Sequence, residues 1–370
     1  MTEISNNPDA HLKTLYRCNE CKNITEKYSP NCSICGNELN EIKVVQPMGF
    51  FTMGINGNKA IDYDGNFDYT PYSQKPQINQ QNENENLLLS EHKENYNFMK
   101  NEKTVQVVSI NDNMGKMYSF DKYKNYKDLW ISPDAEKVYW EKLKGKSSDN
   151  SNAPLQKDIA LISTKMTNVF LIEIDNIPDE INLNWNSSNL YSRSALYSFA
   201  FLLRDTTARI LDIDRSEILV GIKPSKNNNK PSAQIFLSDR LENGAGYSRW
   251  LTQDNNLEIV LNEIKRSEEF YMQEEHMNNC DSSCYHCMQE YGNLHYHGLL
   301  NWRLALDLAK MIRDKNYIPS LNEEYWQSLA KKSLDNLEKF LRNINNKNIT
   351  LKNVSEYTLT SDEGIDYILI

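Results

Sequence analysis

No apolar run in this sequence approaches the ~20 residues that a membrane span needs, so no membrane partner is expected. The signatures of the common nucleotide-binding and hydrolase folds are missing too. Gly145-Lys146-Ser147 has the ending of a phosphate-binding loop, but Trp140 stands where the upstream glycine would have to be. That glycine is what lets backbone amides close on a phosphate. There is no G-x-G-x-x-G after a strand, no G-x-S-x-G and no H-E-x-x-H. Dehydrogenase, serine hydrolase and metalloprotease readings therefore lose their usual support, and the sequence reads as a protein that is not an enzyme. Positive charge is also short. The sequence has 41 Lys and Arg against 51 Asp and Glu, a net charge of −10. This argues against a general nucleic-acid-coating protein, while leaving room for a local basic groove. The start, Met1-Thr-Glu-Ile-Ser-Asn-Asn-Pro8, is polar and has no apolar signal segment, so a cytoplasmic location is expected.

What remains is globular. Hydrophobic residues make up 39% and charged residues 25% of 370, enough apolar content for about two to three domains with their own cores. The informative residues are the cysteines, and all seven fall in two places. Cys18-Asn-Glu-Cys21 is followed after ten residues by Cys32-Ser-Ile-Cys35-Gly36. Two C-x-x-C knuckles at this distance put four thiolates at the corners of a tetrahedron suited to Zn²⁺. Gly36 suits the tight turn after the second knuckle. A closed four-thiolate shell leaves no open position for catalysis, so this zinc is expected to be structural.

The second cluster is denser. Between His276 and His297 lie the other three cysteines and four of the six histidines, in the order His276, Cys280, Cys284, His286, Cys287, His295, His297. C-x3-C-x2-C supplies three thiolates and needs a fourth ligand. His276, four residues before Cys280, is within reach if a turn intervenes, and His297, ten residues after Cys287, is the rival. His286 sits between two ligands and is expected to point outward. A second structural zinc follows.

Hydrophobic periodicity gives an α/β protein: an N-terminal zinc ribbon and a β-rich region, followed by an α/β domain that carries the second zinc site. The expected domains are 12–46 (ribbon), 47–156 (β-rich, with a long Asn/Gln-rich loop) and 157–370. Glu41–Gln46 reads as a strand. Residues 60–100 and 144–156 read as a loop and a linker. Thr104–Ile110 and Lys116–Phe120, either side of Asn111-Asp-Asn-Met-Gly115, predict a β-hairpin. One or two strands are expected over Asp158–Ile174, and a long helix over 190–211 from the spacing of Leu196, Phe199, Ala200, Leu203 and Thr207. Strands at Glu217–Ile222 and Ala233–Ser238 follow. Helices are expected over Gly246–Ser267, Leu299–Asp314 and from a capping box at Ser320 onward, with an edge strand at Ile365–Ile370.

The stretch from Cys280 to His297, followed by Leu299-Leu-Asn-Trp-Arg-Leu-Ala-Leu-Asp307, resembles a known family. It is similar to the zinc-binding domain at the C-terminus of MrfA-type DNA-repair helicases, and more closely to DrmB, the helicase-associated protein of the DISARM phage-defence system. The matching positions are Cys280, Ser283, Cys284, Tyr285, Cys287, Tyr291, Asn293, His297, Leu300, Trp302, Arg303 and Leu304. Ile110–Gly115, the helix from Ser194 into Asp214 with Glu217 and Gly221, and Phe236–Tyr247 are also similar to DrmB relatives. Asn301 stands where the family carries Asp. The MrfA branch has a fourth cysteine ahead of the trio, where this sequence offers His276, and the resemblance therefore favours His276 over His297.

The resemblance implies an accessory subunit of a superfamily 2 helicase. No motor is present here, so ATP hydrolysis would come from a partner in trans, and this chain would assist DNA binding and complex assembly in phage defence or DNA repair. Asn243-Gly-Ala-Gly246, between a predicted strand and a predicted helix, is a candidate phosphate site through the amides near Gly244 and Gly246. Arg249 and Arg303 are candidate phosphate contacts. Two other readings stand beside this one: a metal-dependent nuclease using Asp212, Asp214 and Glu217, and a protein scaffold that makes no DNA contact.

Overall fold

The computed structural model describes residues 2–3, 12–47, 76–78, 96–123, 129–131, 156–186, 188–227, 230–345, 349–353, 357–361 and 366–368. Most of the expected 60–100 loop and nearly all of the 144–156 linker lie outside these residues. The strands are β1 (Thr2–Glu3), β2 (Lys13–Cys18), β3 (Ile24–Thr25), β4 (Leu39–Val45), β5 (Pro76–Ile78), β6 (Phe98–Asn111), β7 (Tyr118–Tyr123), β8 (Leu129–Ile131), β9 (Gln156–Ile174), β10 (Ile218–Asn227) and β11 (Lys230–Asp239). They form one mixed, mostly antiparallel sheet. A separate small antiparallel sheet orders β12 (Ile349–Asn353), β13 (Tyr357–Ser361) and β14 (Asp366–Ile368) in sequence. The helices are α1 (Leu190–Leu211), α2 (Tyr247–Trp250), α3 (Asn256–Tyr271), α4 (Glu274–Asn279), α5 (Trp302–Arg313) and α6 (Glu324–Asn345). The protein is α/β.

β9 is the spine. Its run Val169-Phe-Leu-Ile-Glu-Ile174 does not alternate apolar with polar because the sheet is covered on both sides there. Phe170, Ile172 and Ile174 join the main core with α1, whereas Val169 and Leu171 pack with Phe236 and Val107 on the other face. Fully burying each such side chain contributes about 1.5–3 kcal/mol. β9 is a single strand. It pairs antiparallel with β6 from Phe98↔Ile174 to Asn111↔Leu161, with β11 at Ile235↔Ile172, and in parallel with β4 over Lys43↔Ile159 to Val45↔Leu161. The ribbon strands are therefore part of the same sheet as β10 and β11.

The expected hairpin at 104–120 does not form. β6 and β7 both pair with β9, and Tyr118↔Ile159 continues the line that Asn111↔Leu161 ends. The Asn/Asp/Gly segment is a short 3₁₀ insertion that kinks the strand and does not reverse it, with the Asp112 carboxylate accepting from the Gly115 amide. Arg17 of β2 holds that carboxylate at 2.8 Å.

α1 runs as the spacing predicts. The Asn189 side chain caps it by accepting from Ser192 N–H at 3.1 Å, and Asp212 ends it in the left-handed conformation. It packs on β10, β11, α3 and α5. The predicted helix over Gly246–Ser267 is two helices, α2 and α3. Between them Asp254 adopts φ 44°, and Asn256 Nδ2 caps the Trp250 carbonyl at 2.9 Å. Asn and Asp tolerate that left-handed turn without glycine.

Candidate metal centres

The first tetrad is built from two knuckles of one design. In one, Cys18 N–H donates to Asn23 O and Lys22 N–H to Cys18 O. In the other, Cys32 N–H donates to Asn37 O and Gly36 N–H to Cys32 O. After the second cysteine of each knuckle the chain is left-handed, with φ 62° at Lys22 and 78° at Gly36. The sulfurs face one another: Cys18 and Cys35 are 3.4 Å apart, and Cys21 and Cys32 3.5 Å. A Zn–S bond of ~2.3 Å in a tetrahedron requires an S–S edge of about 3.8 Å, so small outward shifts seat the ion. Asn37 Nδ2 donates to Cys35 Sγ at 3.4 Å, and Asn23 Nδ2 lies 3.9 Å from Cys32 Sγ, both polarising the ligand shell.

The second tetrad is His276, Cys280, Cys284 and Cys287, whose ligand atoms all lie within 4.8 Å of one another. The short helix α4 puts His276 one turn before Cys280, and Cys280 N–H closes that turn on the His276 carbonyl. His276 Nδ1 sits 3.1 Å from the Tyr271 carbonyl oxygen, which accepts only from a protonated nitrogen. The Nε2 lone pair is thereby left facing Cys284 Sγ at 3.8 Å. Burial pulls the His276 pKa down, which favours the neutral ring that a metal needs. Phe270, Tyr271 and Trp302 enclose the ring at centroid distances of 5.2, 5.6 and 5.3 Å. His297, the rival, is turned away: its Nε2 lies 2.8 Å from Asn293 Oδ1 and 3.0 Å from the Glu290 carbonyl.

Without a cation, most of these thiols are held protonated. Burial pushes the Cys18 and Cys284 thiols up, and a hydrogen bond donated to Cys280 together with burial does the same to Cys287. Cys21 and Cys32 share one proton, which raises the first and lowers the second. A dication reverses this by holding every sulfur as thiolate. The two tetrads fit two zinc sites.

Arg303 is not a surface phosphate contact. It is fully buried, its guanidinium lies 4.2 Å over the Trp302 ring, Nε donates to Tyr325 O at 2.8 Å, and Nη1 donates to Asp281 O at 2.7 Å. The Gly244–Gly246 amides are also committed inward. The Asp239 carboxylate accepts from Gly246 N–H at 2.6 Å and from Ser248 N–H at 2.8 Å, and a Cβ on Gly244 would meet Asn168 and Asp239 at 3.0 Å. Asp239 thus occupies the place a phosphate would take, and α2 is one turn long. Arg249 is 60% exposed, with Glu102 at 3.6 Å. Among the described residues, Asp212, Asp214 and Glu217 form no metal-holding group. Asp212 caps the end of α1, and Asp214 accepts from Ser216 N–H at 2.7 Å.

Several supporting residues carried no signal in the sequence. Trp185 Nε1 donates to Cys21 O at 2.7 Å and its ring lies tilted at 6.2 Å against Tyr197, which meets Tyr296 at 4.9 Å. This aromatic chain joins the first knuckle to the loop after the second tetrad. Asn301 caps α5 by accepting from the Arg303 and Leu304 amides, a role that Asp also fills.

No helix among the described residues is long and apolar enough to cross a membrane. No curated protein matches the sequence. A solved structure, the DUF1998 helicase MrfA bound to DNA, is similar with a TM-score of 0.35 at 12% identity, over 64% of this chain and 24% of that one. The chain thus corresponds to about a quarter of that helicase's length. Residues 199–288 match the family described as the MrfA Zn-binding domain. All four residues of the second tetrad lie inside that match, and the first tetrad lies outside it.

Proposed function

We propose that this chain is a non-catalytic, zinc-binding accessory subunit of a superfamily 2 DNA helicase, in a DISARM-like phage-defence system or in DNA repair. Its two zinc ions are structural and are held by Cys18, Cys21, Cys32 and Cys35 and by His276, Cys280, Cys284 and Cys287. The observation that carries the reading is the coincidence of the second tetrad with the segment matching the MrfA Zn-binding domain. Both tetrads have four protein ligands, which leaves no open position for an activated water. The helicase motor acts in trans, and this chain helps the complex hold DNA. Of the residues first considered for DNA contact, the exposed Arg249 alone keeps a free approach. The nuclease reading is weaker, because Asp212, Asp214 and Glu217 form no metal-holding group among the described residues and the Asp214 carboxylate is used as a turn cap.

The test is native affinity purification from the source organism with quantitative mass spectrometry. A helicase lacking its own zinc domain is expected at near-equal amount. Recovery of the chain without any helicase overturns the reading.

A further inference from the structure

Beside the second tetrad, α1 and α3 diverge to leave a cleft of about 410 Å³. Tyr271 and the ligand Cys287 line it deep within, and Arg209, Arg215, Arg266 and Phe270 stand around it. These arginines come from three elements that meet only in the fold: the last turn of α1, the 3₁₀ turn after it, and the middle of α3. Their side chains are 57%, 49% and 81% exposed. They are weakly neutralised. Glu263 serves both Arg209 at 3.5 Å and Arg266 at 3.2 Å, and Arg215 reaches Asp205 at 3.5 Å. Asp205 is already held at 2.6 Å by the buried Arg204. With Arg204, which also pairs with Glu290 at 2.7 Å, four guanidiniums thus share three carboxylates in a chain whose net charge is −10. The arginine fork retains free N–H donors after one such contact, in the geometry that suits phosphate oxygens.

Phe270 supplies the other half. It is 39% exposed, and it lines both this cleft and a neighbouring one of about 370 Å³ on the other side of the tetrad. A half-exposed aromatic face beside converging arginines is the pairing that single strands use, with phosphate on the cations and an unstacked base on the ring. A duplex offers no unstacked base face to such a ring.

We propose that this cleft is a single-stranded DNA site, in which Arg209, Arg215 and Arg266 take the backbone phosphates and Phe270 stacks a base. The proposal rests on the DNA-gripping reading above and moves the contact away from the Gly244–Gly246 loop to the zinc-bearing face. The second zinc then has a role in binding: it fixes the wall of the cleft through Cys287.

The test is fluorescence anisotropy of a labelled oligothymidylate with the zinc-loaded full chain, titrated over a range of salt. R209Q/R266Q alters exposed side chains and is expected to weaken binding at low salt by about tenfold or more and to lower the salt slope by about 1.4, at ~0.7 per phosphate contact for single strands. F270L keeps an apolar side chain at the position. It is expected to weaken binding by at least about fivefold with the slope unchanged. Zinc content and melting temperature equal to those of the parent protein establish that each variant is folded. If the parent binds and R209Q/R266Q binds equally well with the same slope, the cleft assignment is overturned and DNA contact lies elsewhere. If the parent does not bind single strands, both the cleft and the DNA-gripping reading fail. Tighter binding of duplex than of single strand, lost equally in R209Q/R266Q, overturns the single-strand assignment.

Discussion

The guanidinium of Arg303 donates from Nη1 to the backbone carbonyl of Cys280 at 3.3 Å, so the first turn of α5 holds a ligand of the second metal centre from behind. The same nitrogen reaches Asp281 O, Nε reaches Tyr325 O, and Trp302 Nε1 adds a bond to Cys280 O at 3.2 Å. One buried cation therefore joins the metal loop, α5 and α6. Arg303→Lys keeps the charge and loses the fork, leaving at least one buried carbonyl unpaired. The expected cost is about 2–4 kcal/mol of stability, together with faster zinc loss to a chromogenic chelator. A variant that melts like the parent and loses only DNA binding would show that Arg303 faces ligand after all.

Elemental analysis of the purified chain is expected to give two zinc ions. Cys21→Ser and His276→Ala should each retain one, whereas His297→Ala should retain both, because the His297 ring is bonded to Asn293 and Glu290 and not to the tetrad. His276→Cys is expected to restore the second zinc, since thiolate and imidazole both complete a tetrahedral shell. Loss of zinc from His297→Ala with retention in His276→Ala would reverse the ligand assignment.

The metal tetrads were legible because their ligands are close in sequence. C-x-x-C fixes two sulfurs on one knuckle, and the four-residue step from His276 to Cys280 is a helical turn. α1 was legible for a related reason, since its apolar spacing and its Asn cap are local. The hairpin at 104–120 was misread because the partner of both segments is β9, more than thirty residues on, and an Asn/Asp/Gly turn looks the same whether it reverses a strand or kinks it. Arg303 was misread because charge ordinarily marks a surface. What buries it is the set of carbonyls at Cys280, Asp281 and Tyr325, and only the fold collects them. The glycine loop failed as a phosphate site for the same reason: Asp239, seven residues before Gly246, supplies the anion internally.

The two N-terminal knuckles differ at one position that can be tested alone. Lys22 and Gly36 occupy equivalent left-handed sites, with φ 62° and 78°. An L side chain pays roughly 1 kcal/mol there. Lys22→Gly is therefore expected to raise stability by about 0.5–1 kcal/mol, and Gly36→Ala to lower it by about 1 kcal/mol, both read by thermal denaturation with zinc in excess. No gain from Lys22→Gly would mean that the Lys22 side chain, which donates from Nζ to Asn19 O at 2.5 Å, offsets the strain.

Mildly alkaline pH should stabilise the zinc-loaded protein, and two buried lysines contribute to it. Burial lowers the pKa of Lys223, which lies beside Gln234 on the sheet, from 10.5 to about 8, and that of Lys165, which donates to the Asp239 and Arg240 carbonyls, from 10.5 to about 8. Between these values the unfolded chain binds the proton that the folded chain has released, so stability rises with pH across that window and is flat below it. Lys223→Met removes one of the two titrations. It is expected to shrink the rise between about 8 and 10.5, and at neutral pH to lower stability by leaving the buried Glu173 without its nearby cation. Urea denaturation at a series of pH values reads both effects. A rise that survives Lys223→Met undiminished would assign the titration elsewhere, with Lys165→Met the next variant to separate.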